Sequence, residues 1–281
     1  MIIGVINGYY RSGTTLMQRL CSENNPNYVV LCEPTQHEII DHIISVGCDG
    51  ISTLHGWEVF KGYCKLTRKV RHEFIKRHFE VFDYDKSQWG IMTSEGAVRY
   101  LLQPLHDCEQ QIVIKSTQLH LFLEKLKEWY GCWILHLDRN IENIIADHFS
   151  YNHLTKTAEV KNIFMSNKGA ISFYANLVFE NLTKYLRLNK NIARNNLDKL
   201  VFNILATRKI VEKQKGITVL NFDDFVRNPK QNLNKLPFKI NESLLRILDP
   251  YKANPVPNWL KDMINSSIKY IRRCLDNIGR W

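Results

Sequence analysis

The sequence predicts an α/β fold, a parallel sheet with helices on both faces. Two observations carry that expectation. Short apolar runs rich in Val, Ile and aromatics alternate with longer amphipathic segments. Such alternation suits strands laid parallel and joined by helical crossovers. The first apolar run also leads at once into a Gly-bounded turn and an amphipathic segment, which reads as strand, loop and helix.

Strands are expected over 2–6, 28–31, 111–115, 132–137 and 217–222. Each is short and is followed by a polar or helical stretch. Helices are expected over 14–22, 38–45, 66–81, 119–130, 142–153, 170–188, 195–214, 242–248 and 258–277. The stretches 66–110 and 164–215 are helical and basic, and read as insertions and outer helices rather than domains. The helix over 66–81 packs many cations into four turns. A solvated face is the plainer account, and an acidic-substrate face the sharper one. The chain has 281 residues without a Pro/Gly/Ser-rich linker. We therefore expect one domain over 1–281, with a basic helical insertion at about 50–110.

Hydrophobic residues make up 44% and charged residues 23%, ordinary values for a soluble globular protein. Net charge is +10, from 38 basic and 28 acidic residues, which favours an anionic partner. Zinc-finger spacing and the aromatic-basic motifs of RNA-binding modules are absent, so nucleic acid is not expected. The seven Cys are scattered without a CxxC, as in a reducing, cytoplasmic compartment. The ten His show no metal-ligand spacing, so no metal is expected. No apolar run reaches the roughly 18 residues that a membrane span needs. The first strand is required by the loop, so it does not read as a removable leader.

The chemistry lies in Gly8-Tyr9-Tyr10-Arg11-Ser12-Gly13-Thr14-Thr15. Successive backbone N–H groups and a positive helix end point at one spot, an anion cradle. The two Gly have P-loop spacing, so the fold expected is a P-loop-type sheet. Thr14 stands where an ATPase has Lys, and the cation, Arg11, sits inside the loop.

This loop resembles the 5′-phosphosulfate loop of sulfotransferases that use 3′-phosphoadenosine 5′-phosphosulfate (PAPS). Four later segments are similar to that family, in its order, and with the loop they span most of the chain. Cys32-Glu33-Pro34 follows the second strand, as in the carbohydrate and tyrosylprotein branches. The resemblance implies that Glu33 is the general base on the acceptor hydroxyl, with His37 a rival base. Lys115, ending 111–115, is implied to assist the leaving phosphate, although Ser116-Thr117 replaces the family's Asp-Pro. Arg139, after 133–138, matches the Arg that holds the 3′-phosphate. Asp147 stands where the family has Ser, and like charge makes it a poor neighbour for phosphate. Ser150 or His148 can take over that contact, or Asp147 can orient Arg139. The segment Phe222-Asp223-Asp224 reads as structural, with Phe222 in the core and Asp223 capping a helix. The closing helix is also similar.

The resemblance implies in-line sulfuryl transfer from PAPS to a hydroxyl or amine, leaving 3′,5′-adenosine bisphosphate, with no metal. Ser12, Gly13, Thr14 and Thr15 would hold the 5′-phosphate and Arg11 the transferring group. The acceptor, a glycan, tyrosyl peptide or small molecule, stays open, as does oligomeric state. Two other readings stand beside this one. A P-loop nucleotide kinase or NTPase would use Asp138, at the end of an apolar strand, for metal. A non-catalytic binder of nucleotides or anions would have a donor site decayed at Asp147.

Overall fold

A computed structural model describes residues 1–36, 40, 53–54, 57–84, 90–147, 173–251 and 256–276. The strands are β1 (Ile2–Gly8), β2 (Tyr28–Cys32), β3 (Thr53–Leu54), β4 (Trp57–Glu58), β5 (Gln111–Ser116), β6 (Trp133–Asp138) and β7 (Thr218–Asn221). The helices are α1 (Thr14–Asn24), α2 (Lys61–Lys65), α3 (Arg68–Tyr84), α4 (Glu95–His106), α5 (Leu123–Tyr130), α6 (Ile141–Ala146), α7 (Phe173–Tyr185), α8 (Asn196–Glu212), α9 (Phe222–Arg227), α10 (Pro229–Asn232) and α11 (Asn258–Asp276). They form two compact units, Met1–Asp138 with Gln214–Lys252, and Arg139–Lys213 with Ala253–Trp281. The expected helix over 38–45 lies outside the described residues, apart from position 40.

The first unit holds a five-stranded, all-parallel sheet in the order β2-β5-β1-β6-β7. Its strands are apolar along nearly their whole length because helices cover the sheet. The exception is β7, a four-residue edge strand whose Val219 is 53% exposed. From β1 the chain crosses leftward to β2, and from β5 it crosses rightward to β6. Right-handed crossovers therefore put α1 and α5 on opposite faces. The boundary between β1 and β5 is thus a topological switch point, where a crevice opens beyond the strands' carboxyl ends.

Packing fixes that edge. On α1, Leu16, Met17, Leu20 and Cys21 recur at helical spacing and are buried against Ile6 and Val113 of the sheet. The same core takes in Phe222, Phe225 and Phe238. In the basic insertion, α3 packs on α4. Pro104 lacks the N–H that would bond the carbonyl of Tyr100, one turn earlier. Arg77 Nη1 donates to that carbonyl instead, at 3.1 Å.

Three expectations need adjustment. The segment 119–130 divides into a 3-10 turn over His120–Phe122 and then α5. The segment expected as a helix over 242–248 is a 3-10 stretch over Glu242–Tyr251. Asp223 does not cap α9: the helix begins at Phe222, so Asn221 is the cap and accepts from Asp224 N at 2.9 Å. Asp223 sits in the first turn, where its charge favours the helix dipole.

The second unit is helical among its described residues. The α11 stripe Leu260, Ile264, Ser267, Ile271 and Leu275 is buried, and α11 packs on α8. Phe179 of α7 meets Phe202 of α8 edge-on at 5.4 Å. Buried Asp198 ties α8 to α11 by accepting from Ser267 Oγ at 2.6 Å, and it also accepts from Arg194 Nε at 2.8 Å.

Candidate active site

The loop after β1 turns through a Ser12 N–H to Tyr9 carbonyl bond of 2.9 Å. Arg11 has φ +69° and Gly13 φ +91°, so the backbone reverses hand twice within three residues. For Arg11 that conformation costs about 1–3 kcal/mol, which the surrounding packing must offset. Glycine is required twice. A Cβ at Gly13 would lie 2.4 Å from the Phe222 ring, and one at Gly8 would lie 2.3 Å from Ser12 Oγ. Phe222 is therefore the floor of the loop.

Helix α1 makes its first intrahelical bond from Met17 N to the Gly13 carbonyl, and no side chain caps it. The preceding amides are the orphan donors of a helix N-terminus. Ser12 is fully buried, and its Oγ has no hydrogen-bond partner among the described residues. The loop thus gathers amide and hydroxyl donors in one place. Arg11 is exposed, with its guanidinium 4.7 Å from the centre of the Tyr10 ring.

Beside the loop, Glu33 and Lys115 meet because Cys32 and Lys115 are register partners on β2 and β5. Lys115 Nζ is 2.5 Å from Glu33 Oε1, and both side chains are 6% exposed. Thr117 adds two donors to the carboxylate, Oγ1 to Oε1 at 3.0 Å and N to Oε2 at 2.8 Å. Glu33 itself has φ +48° and donates its N–H to the Lys115 carbonyl at 2.6 Å. Burial pulls the Lys115 ammonium down, but the charges of Cys32 and Glu33, the Glu33 hydrogen bond and Tyr10 together hold it above the ordinary lysine value. Burial pushes the Cys32 thiol up to about 12, so Cys32 is uncharged at neutral pH and Glu33 is the operative partner. Lys115 is therefore a buried, paired cation.

Sequence reasoning missed the rest of this edge. Thr35 Oγ1 lies 2.9 Å from Ser116 Oγ, and Asn7 contacts both His120 and His136. All five are buried. The available signal was a polar residue inside an otherwise apolar strand, Asn7 in β1 and His136 in β6.

In the second unit, Arg139 follows β6 and pairs through Nη1 with Asp147 Oδ2. Arg208 Nη2 donates to the Arg139 carbonyl. Asp147 is therefore in contact with the Arg139 guanidinium. His37, His148 and Ser150 lie outside the described residues. Among the described residues no three His, Cys, Asp or Glu side chains gather to hold a metal, and no helix is long and apolar enough to cross a membrane.

No family model matches the chain. An uncharacterized protein of Archaeoglobus fulgidus is 29% identical over 187 residues, 66% of this chain. The match spans 59% of that relative's length.

Proposed function

We propose that this protein is a sulfotransferase that moves a sulfuryl group from PAPS to a hydroxyl or amine of an acceptor. The observation that carries the reading is the pairing of two features on neighbouring strands. A loop of orphan amides, with a buried Ser12 hydroxyl that has no partner among the described residues, follows β1. The Glu33–Lys115 pair stands at the ends of β2 and β5.

The donor supplies an already activated sulfuryl group, so the protein's share is positioning and fixed charge. In this reading the amides of Gly13, Thr14 and Thr15, with the Ser12, Thr14 and Thr15 hydroxyls, bind the 5′-phosphate, the Ser12 N–H being held by Tyr9. Arg11 faces the sulfuryl oxygens. Lys115 offsets charge gathering on the leaving phosphate oxygen. Glu33 takes the acceptor proton as the acceptor oxygen or nitrogen bonds to sulfur and the sulfur–phosphate oxygen bond breaks. Glu33 already accepts from Lys115 Nζ and from both donors of Thr117, so an acceptor group must take the place of one of them. An anion in the loop competes for Lys115 and so frees a carboxylate lone pair for the acceptor. Arg139 is assigned the 3′-phosphate by resemblance, and to bind it must share a guanidinium that Asp147 now holds.

A second reading has one specific observation behind it. Asp138 ends β6, the strand next to β1, where a nucleotide kinase or NTPase would hold its metal. Calorimetry with 3′,5′-adenosine bisphosphate, 5′-AMP, ADP, and ATP with and without magnesium decides between them. Preference for the bisphosphate is expected. Preference for ATP with magnesium overturns the proposal in favour of the kinase, and binding of none of them overturns any nucleotide-dependent function.

A further inference from the structure

Three strands meet beneath Gly8 in a cluster that the chemistry above does not use. Asn7, next to last in β1, is fully buried. With the amide O and N assigned from the backbone groups around them, the oxygen lies 2.9 Å from His120 Nδ1, 2.8 Å from His136 Nδ1 and 3.2 Å from Gly8 N, and the nitrogen lies 2.9 Å from the Ser116 carbonyl. In this amide orientation Gly8 N meets an acceptor and the Ser116 carbonyl meets a donor, and the two histidine contacts are satisfied when each Nδ1 carries its proton. Strand register creates the meeting, because Asn7 pairs with Ser116 on β5 and with His136 on β6. His120 enters from the 3-10 turn that follows β5.

The rings of His120 and His136 are 1% and 2% exposed, with centroids 5.9 Å apart. Two imidazolium ions that close and that dry would repel strongly. Burial, and then His136, pushes the His120 imidazole down to about 3, against a smaller opposing contribution from the Thr117 backbone. A neutral imidazole that donates from Nδ1 keeps its lone pair on Nε2.

We propose that Asn7 is the positioning residue of the glycine loop: its amide ties the carboxyl ends of β5, β1 and β6 together under Gly8 and holds both imidazoles in the neutral, Nδ1-protonated form. Gly8 links this amide to the anion site, since its backbone bonds Asn7 and its missing Cβ makes room for Ser12 Oγ. An apolar residue at position 7 would remove the oxygen that faces both ring Nδ1 atoms and Gly8 N, and the N–H that faces the Ser116 carbonyl, at one stroke. The effect on anion binding rests on the loop being the phosphate cradle of the proposed transferase. The ring protonation does not.

The test joins long-range ¹⁵N–¹H spectra of the imidazoles at neutral pH with titration by inorganic pyrophosphate. In the wild type both rings are expected to be neutral and protonated on Nδ1. Asn7→Leu is expected to move at least one ring to the Nε2-protonated form and to weaken pyrophosphate binding about tenfold or more. Asn7→Asp, which keeps the acceptor but cannot donate to Ser116, is expected to keep the Nδ1 protons without restoring affinity. It also serves if the Leu variant does not fold. A wild type with either Nδ1 unprotonated overturns the inference whatever the variants do. So does an Asn7→Leu protein with unchanged ring spectra and unchanged affinity. A wild type that binds no pyrophosphate while showing both Nδ1 protons overturns the cradle and supports the ring assignment.

Discussion

Glu33–Lys115 and Arg139–Asp147 are both ion pairs that begin where a strand ends, yet they are built oppositely. In the first, both side chains are 6% exposed and Thr117 takes up further carboxylate lone pairs. In the second, Arg139 is 8% exposed while Asp147 is 51% exposed. Water and salt weaken the second pair continually and hardly reach the first. A sealed pair is loosened only by another charge that enters the site. A half-open pair can exchange one anion for another at little cost. The sealed edge is thus suited to responding to a ligand, and the open pair to trading partners.

Four predictions test that contrast, ordered by expected effect on stability. Lys115→Met leaves the Glu33 charge buried without its partner. It should cost about 3–5 kcal/mol in urea unfolding, and adding Glu33→Gln should recover much of that. A loss below about 1 kcal/mol would mean that the pair is not sealed.

The second concerns acid. The folded His120 stays neutral to about pH 3, while the unfolded chain binds a proton there from about pH 6.5. The unfolded state therefore holds more protons between those values, and stability falls as pH falls through that window. The slope from this one group is about 1.4 kcal/mol per pH unit. His120→Gln should flatten that acid limb in urea melts compared at pH 7, 5 and 4.

The third is Arg11→Ala. Arg11 is exposed and in a left-handed conformation, so the change should alter stability by about 1 kcal/mol or less. Sulfuryl transfer from PAPS, measured with any accepted hydroxyl, should vanish. An active Arg11→Ala protein would remove Arg11 from the mechanism. The fourth is Asp147→Ser, expected to move stability by less than about 1 kcal/mol because its carboxylate is half exposed. It should tighten 3′,5′-adenosine bisphosphate several-fold by calorimetry. Unchanged or weaker binding would separate Asp147 from the 3′-phosphate.

The sheet was legible because its signals are local. Apolar runs bounded by polar turns marked β1, β2, β5, β6 and β7 to within a residue or two. Gly8 and Gly13 announced a loop whose backbone no other residue fits. Glu33 and Lys115 were also readable, each at the end of a run. What bonds to them was not. Thr117, Ser116 and Thr35 are ordinary polar residues, and only the β2–β5 register brings them together. Asn7, His120 and His136 lie more than a hundred residues apart at their extremes and share no motif. The Asp223 cap failed for a smaller reason. Helix ends are set by one residue of phase, and α9 starts a residue or two earlier than its acidic pair suggests.

The route of the chain through the sheet also bears on how it forms. Strand β1 is central, but its neighbours β5 and β6 begin only at Gln111 and Trp133. Strand β7 joins β6 only after the chain has left at Asp138 and returned past Gln214. Pairings so distant along the chain need long loops to close before any contact rewards them, which slows folding. During synthesis β1 waits from Gly8 until Gln111, about a hundred residues, with both edges bare. A chain released after Asp138 would end on an unpaired, apolar β6 edge, the kind of surface that draws chains into aggregates. Short, polar, half-exposed β7 is therefore the piece that ends the growth of the sheet, and its late arrival sets when the newly made protein becomes safe from its neighbours.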